Sequence, residues 1–200
     1  RLSGVAVLPA ILNLRNMFQV LVSADDRYGP IYSFALARMI RDGLARRGYG
    51  GGPPRPVVLL GFSGGGQISI GAATYLSAAL AAPVFVVTIG GVIASDRGLA
   101  AIGRLTCLYG RRDGVQRVGA IVFPGRWPAM RGSCWNRALA EGRIELRAIG
   151  DMRHAGTGGY MDGTPGPDGA RPPADITLEA VVEAVRSDLA RHARDGSASV

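Results

Sequence analysis

Residues 57–71 read VVLLGFSGGGQISIG: four apolar residues, then Ser63 set among glycines, then a run able to begin a helix. Three readings compete for this stretch: a strained turn that presents a serine hydroxyl, a glycine cradle for phosphate, or a flexible joint. What the rest of the chain brings to Ser63 decides between them.

The phosphate cradle fails on chemistry. A P-loop places Lys before Ser or Thr to reach the phosphates. Here Gly66 is followed by Gln67, and all 23 basic residues are Arg. A dinucleotide fingerprint fares no better, because the frame from Gly61 puts Ser63 at its central glycine and the frame from Gly64 ends on Ser69. The missing lysines also exclude Schiff-base chemistry and a Ser-Lys dyad.

Gly61-Phe62-Ser63-Gly64-Gly65 fits G-x-S-x-G, the tight strand-to-helix turn in which small residues, Gly61 and Gly65, admit the neighbouring chain. With 30 Gly and 11 Ser in 200 residues, chance alone supplies about a quarter of one match. The position of the motif, between an apolar strand and a helix start, is what raises it.

Two hundred residues with 48% apolar content suit one domain with a continuous core. The formal charge of +8 would suit nucleic acid or an anionic membrane surface. The arginines are scattered and few aromatics lie among them, so nucleic acid is not the expected partner. Cys107 and Cys134 lie far apart and have no metal spacing, which implies neither a disulfide framework nor a zinc site. Residues 78–94 (AALAAPVFVVTIGGVIA) are nearly all apolar, yet Pro83 cuts them into a helix end and a β-branched run that fits a buried strand. The chain starts at Arg1 rather than Met, as a fragment or processed form would, and its opening GVAVLPAIL fits the remnant of a longer apolar segment. Residues 1–16 receive no structural assignment.

Residues 17–22 (MFQVLV) read as a strand, and Pro30 opens a helix to about residue 47 whose Leu36, Met39, Ile40 and Leu44 share a face. Residues 57–60 read as a strand from the middle of a parallel sheet. A helix over 64–81, a strand over 84–90, a short helix near 96–103 and a strand over 105–109 come next. After a long irregular stretch come a strand over 144–149 and a last helix near Asp175, an expected N-cap, with an apolar stripe of Leu178, Val181, Val182, Val185 and Leu189. Residues 193–200 read as a flexible tail. Alternating strand and helix predicts an α/β fold with a doubly wound, mainly parallel sheet and helices on both faces.

Serine needs a general base, and the chain has two histidines. His192, near the end of the last helix, is expected on a solvated face. His154 lies in the loop GDMRHAGTGGYMDG after strand 144–149, at the carboxyl end where open α/β sheets place their chemistry. Three acids compete to orient it. Asp113 follows strand 105–109 and is favoured as the neighbour of the histidine loop; Asp96 lies one strand earlier, and Asp151 is adjacent to His154 only in sequence. The bland reading of each is a turn residue or helix cap.

The order Ser63, Asp113, His154, with the turn after one strand and acid and base after later ones, resembles the α/β-hydrolase superfamily over roughly residues 17–192. The resemblance implies that Ser63 is the nucleophile, His154 the base and Asp113 the orienting acid, with neither cofactor nor metal. It also implies that the backbone N–H of Gly64 supplies half of the oxyanion hole. The other half comes from a loop after an earlier strand, which places it upstream of Arg1 or at the very start of the chain, so that the N-terminal strands are lacking. Ser23 to Tyr28 (SADDRY) are a fallback donor region.

Residues 114–143, with Trp127 and Trp135, read either as a lid or acyl-binding wall, or as a surface loop whose aromatics pack down. The expected partner is a small-molecule acyl substrate, in a cytoplasmic or membrane-associated setting. The alternative is a hydrolase-like domain that binds without turnover, as an accessory part of a larger, membrane-anchored protein.

Overall fold

A computed structural model of the chain describes Val20, residues 22–25 and residues 27–197. Its elements in chain order are α1 (Gly29–Ala45), β1 (Val57–Phe62), α2 (Gly65–Leu80), β2 (Val84–Ile89), β3 (Arg104–Tyr109), α3 (Gly114–Val122), α4 (Cys134–Ala140), β4 (Ile144–Ala148) and α5 (Pro173–Ser197). Short 3-10 turns occupy Arg97–Ala100, Pro124–Arg126 and Pro167–Gly169.

The four described strands form one all-parallel sheet in the order β1-β2-β3-β4, so the chain is of the α/β class. Because that order does not reverse, right-handed crossovers put every connecting segment on one face. The winding in both directions expected from the sequence is therefore not present among the described strands. One core joins α1, α2, α4 and Leu99 to Val84, Val86, Leu105 and Cys107. A second, on the opposite face, joins Ala180 and Ala184 of α5 to Val87, Ile89 and Leu108. Helices thus cover both faces, but the second layer comes from the last helix.

Several expectations shift at the level of elements. The strand expected over residues 17–22 is helical at its described positions, Val20 and Val22, and its other residues lie outside those described, as does the 1–16 segment. β2, buried at every position, is an inner strand, whereas β1 is an edge among the described strands and leaves Leu60 55% exposed. A fully apolar run reports burial on two faces only when something covers both. The stretch 114–143 is not irregular: Asp113 caps α3, and Ser133 caps α4 by accepting from Asn136 N–H at 3.1 Å. Trp135 is buried beneath the Arg126 guanidinium, 3.9 Å from the ring centroid, while Trp127 is half exposed.

Asp175 lies in the first turn of α5 rather than at its cap, and the helix continues through residues 193–197 where the sequence predicts a flexible tail. Its most buried face is Thr177, Ala180, Ala184 and Asp188; of the expected stripe, Val181 and Val185 pack against the core while Leu178 and Val182 lie outside. Small residues let this helix approach the sheet closely, and Asp188 is admitted because Arg104 Nε lies 3.3 Å from Oδ1 and Thr106 Oγ1 donates to Oδ2 at 3.3 Å. Met39 of α1 likewise points outward, while Leu36, Ile40 and Leu44 pack inward.

Strand register gathers the three candidate residues. Phe62 pairs with Ile89, Ile89 with Leu108, and Tyr109 with Ala148, so the carboxyl ends of all four strands lie level. The loops that carry Ser63, Asp113 and His154 leave the sheet at one edge.

Candidate active site

Ser63 sits between β1 and α2 with φ +54°, a left-handed conformation that a non-glycine residue adopts at a cost of order 1 kcal/mol. The turn is pinned on both sides. Ser63 N–H donates to Ile89 O at 3.0 Å, and Ser63 O accepts from Gly66 and Val92 N–H at 3.1 and 3.2 Å. Close approach makes Gly61 obligatory, since a Cβ there would stand 2.6 Å from the carbonyl carbon and oxygen of Gly65. Gly65 itself faces open space, so the expected requirement for a small residue at this position does not hold.

The structure brings Ser63, His154 and Asp113 into one hydrogen-bonded line. Ser63 Oγ lies 2.9 Å from His154 Nε2, and His154 Nδ1 lies 2.9 Å from Asp113 Oδ2. A carboxylate only accepts, so Nδ1 carries the proton in neutral His154, and Nε2 is left to accept from the serine hydroxyl.

Asp113 is fully buried and its two oxygens divide their work. Oδ1 accepts from Val115 and Gln116 N–H at 2.8 and 3.1 Å, capping α3; Oδ2 accepts from His154 and, at 2.7 Å, from the Tyr160 hydroxyl. Cap and orienting acid are therefore the same residue in two roles. Burial pushes its pKa up, but hydrogen bonds from His154, Tyr160 and Gln116 outweigh burial and hold it below the ordinary carboxylate value. The competing acids lie elsewhere. Asp96 caps the Arg97–Ala100 turn and accepts from Gln67 Nε2 at 2.7 Å, and Asp151 pairs with Arg111 at the surface.

Three contributors carry no motif. Tyr160, fully buried, donates to Asp113 and accepts from Gly110 N–H at 2.7 Å, which ties the acid to the end of β3. Burial pushes its phenol up, keeping the hydroxyl a donor. Phe62 stacks on the His154 ring at 5.1 Å between centroids with planes 22° apart. Gly90 has φ +55°, and a Cβ there would meet Asp113 Oδ2 at 2.7 Å and His154 Nδ1 at 3.2 Å. The one available signal is Tyr160 itself, six residues beyond His154 and separated from it by the small residues Ala155 to Gly159.

The histidine loop is braced. Arg153 N–H donates to Gly158 O at 2.8 Å, and the Asp162 carboxylate accepts from Gly158 and Thr164 N–H at 2.7 and 2.9 Å. The His154 side chain is 17% exposed, more covered than an open loop would leave it, because Phe62 and Tyr160 enclose it. His192 packs edge-on against Phe85, 5.7 Å between centroids, away from Ser63 and partly covered.

Gly64 precedes α2, and its N–H donates to no described residue, leaving it free to meet an acceptor beside Ser63. In the Ser23–Tyr28 region, where Asp26 lies outside the described residues, three of the described groups are already engaged elsewhere. Asp25 Oδ1 already takes the N–H groups of Arg27 and Tyr28, and Ser23 packs beside Gly71, two turns along α2. A cavity of about 280 Å³ opens beside the histidine, lined by Phe62, His154, Ala155, Thr157 and Met161. A larger one, about 630 Å³, runs along the outside of α5 and touches none of the three residues. Both cysteines are free, with Cys107 buried and its thiol pushed up to about 11 by burial. Among the described residues no group of three or more His, Cys, Asp or Glu is arranged to hold a metal ion, and no helix is long and apolar enough to cross a membrane.

Comparison with protein-family models, with curated proteins and with solved structures finds no match to this chain.

Proposed function

We propose that this chain is a serine hydrolase of the α/β-hydrolase superfamily, cleaving a carboxylic ester or thioester through an acyl-enzyme. The observation that carries the reading is the unbroken line from Ser63 Oγ through both nitrogens of His154 to Asp113 Oδ2, with Ser63 in a left-handed turn at the mouth of the sheet. A helix cap and a surface loop would not by themselves align three side chains at 2.9 Å.

In the reaction, Ser63 Oγ bonds to the acyl carbon while its proton passes to His154 Nε2. Asp113 steadies the resulting imidazolium, and the carbonyl oxygen, now negative, meets the Gly64 N–H. As the tetrahedral adduct collapses, Nε2 returns the proton to the departing alcohol or thiol. Water, deprotonated in turn by Nε2, then attacks the acyl carbon, releasing the acid and restoring the serine hydroxyl. The cavity beside His154 offers the substrate both apolar surface, from Phe62, Ala155 and Met161, and polar groups, from Thr157 and Asp162.

A fluorophosphonate probe should label the wild-type chain, and Ser63→Ala should abolish the adduct. If no such adduct forms, the reading gives way to a hydrolase-like domain that binds without turnover. Esters and thioesters of increasing acyl length then define the substrate.

A further inference from the structure

The helix capped by the candidate acid carries an apolar flank that nothing in the described structure covers. Gly119 faces inward, where a Cβ would come within 3.2 Å of Ile93 N and 3.4 Å of Val92. Val115, Val118, Ile121 and Val122, spaced i, i+3, i+6 and i+7, form an adjoining flank, and Ile121 is 70% exposed. Trp127 extends it: its indole N–H donates to Ile121 O at 3.2 Å while 47% of the residue remains exposed, and Met130 lies beyond, half exposed.

Charge on this face has one sign. No Asp or Glu occurs from Gly114 to Ala140, and Arg112, Arg117 and Arg131 are exposed. An apolar helix flank edged by arginine and a half-exposed tryptophan fits the boundary of an anionic bilayer, where the aliphatic residues enter the acyl region and guanidinium groups meet phosphate. We propose that the face formed by α3, Trp127 and Met130 docks on an anionic lipid surface. Because Asp113 caps α3 with one oxygen and holds His154 with the other, docking sets the candidate site at a fixed distance from the bilayer. The proposal is independent of turnover and goes beyond the hydrolase reading.

The full chain, mixed with extruded vesicles of phosphatidylcholine with or without phosphatidylglycerol, should co-sediment with the anionic vesicles, less so as salt rises. Its tryptophan emission should shift to the blue. Trp135 is buried in the protein, so Trp127→Phe should remove that shift. The pair Val118→Asp and Ile121→Asp should weaken the apparent partition about tenfold or more. Leu178→Asp, on the exposed side of α5, should not. Ser63→Ala should bind as wild type does, which separates this test from the hydrolase reading. Circular-dichroism melts verify that the surface variants fold. Failure of the wild type to bind anionic vesicles, or unchanged binding by the Asp pair, would overturn the proposal. So would a dimer in light scattering that the Asp pair dissolves, because the patch would then belong to a second copy.

Discussion

At Ser63 the chain holds a left-handed backbone without the freedom of glycine, and its neighbours carry that constraint unequally. Gly61 abuts the backbone of Gly65, whereas Gly65 meets no atom within 4 Å. Gly61→Ala should therefore cost about 3 kcal/mol or more by urea unfolding and abolish fluorophosphonate labelling, since the added methyl pushes the start of α2 away. Gly65→Ala should keep labelling and leave stability unchanged or raised by about 0.5–1 kcal/mol, because alanine is the better helix former. Equal damage from both would reject this account of the turn. Tyr160 makes a different kind of contribution, holding Asp113 in place through its hydroxyl. Tyr160→Phe should lower stability by about 1.5–3 kcal/mol in the same assay, as it removes a donor to a buried carboxylate and orphans the Gly110 N–H. Labelling should slow but persist, because Ser63 and His154 keep their contact.

At the scale of elements, α5 is held to the sheet by more than apolar contact. Asp188 is 1% exposed and engages Arg104 and Thr106 of β3, and Arg104 in turn donates to Glu145 of β4 at 2.8 Å. Its raised pKa reflects burial first, offset in part by Arg104 and Thr106. Asp188→Ala leaves Arg104 with one carboxylate partner fewer in a nearly dry position, and should destabilise the fold by about 3 kcal/mol. A loss within experimental error in the urea midpoint would show that the pair contributes nothing net. Helix α5 also shows why a stripe of large apolar residues locates a buried face only in part, since Val181 and Val185 pack on the core but flank its centre. Ala180 and Ala184, rather than Leu178 and Val182, face the sheet, because a helix lying close to a parallel sheet needs small residues at the contact.

Across the whole molecule, acid stability should carry the signature of Asp113. Its carboxyl is held below the ordinary value in the folded chain, so between the folded pKa and about 3.9 the unfolded chain binds more protons and stability rises with pH. The contribution is complete above about pH 4 and is lost as pH falls through the folded pKa. Urea midpoints for wild type and Asp113→Asn should consequently differ most near neutrality and converge toward acid. A gap that widens on acidification would contradict the sign.

The alternation of strand and helix was legible because β-branched runs such as VFVVTI and breakers such as Pro83 act locally, whatever the fold does with them. The candidate serine, acid and base were legible for a related reason: each comes after a strand, and parallel strands deliver their carboxyl ends to one edge. Strand order was not legible, since an apolar run cannot report whether a neighbour lies on both sides, and β1 proved to be an edge among the described strands. Nor were Tyr160, Phe62 and Gly90, which matter through contacts with residues far away along the chain. By itself the sequence determined which residues were chemically able to form the line Ser63, His154, Asp113. The tertiary structure alone decided that they meet at 2.9 Å, because that distance depends on register, ring stacking and a left-handed glycine that no local pattern encodes.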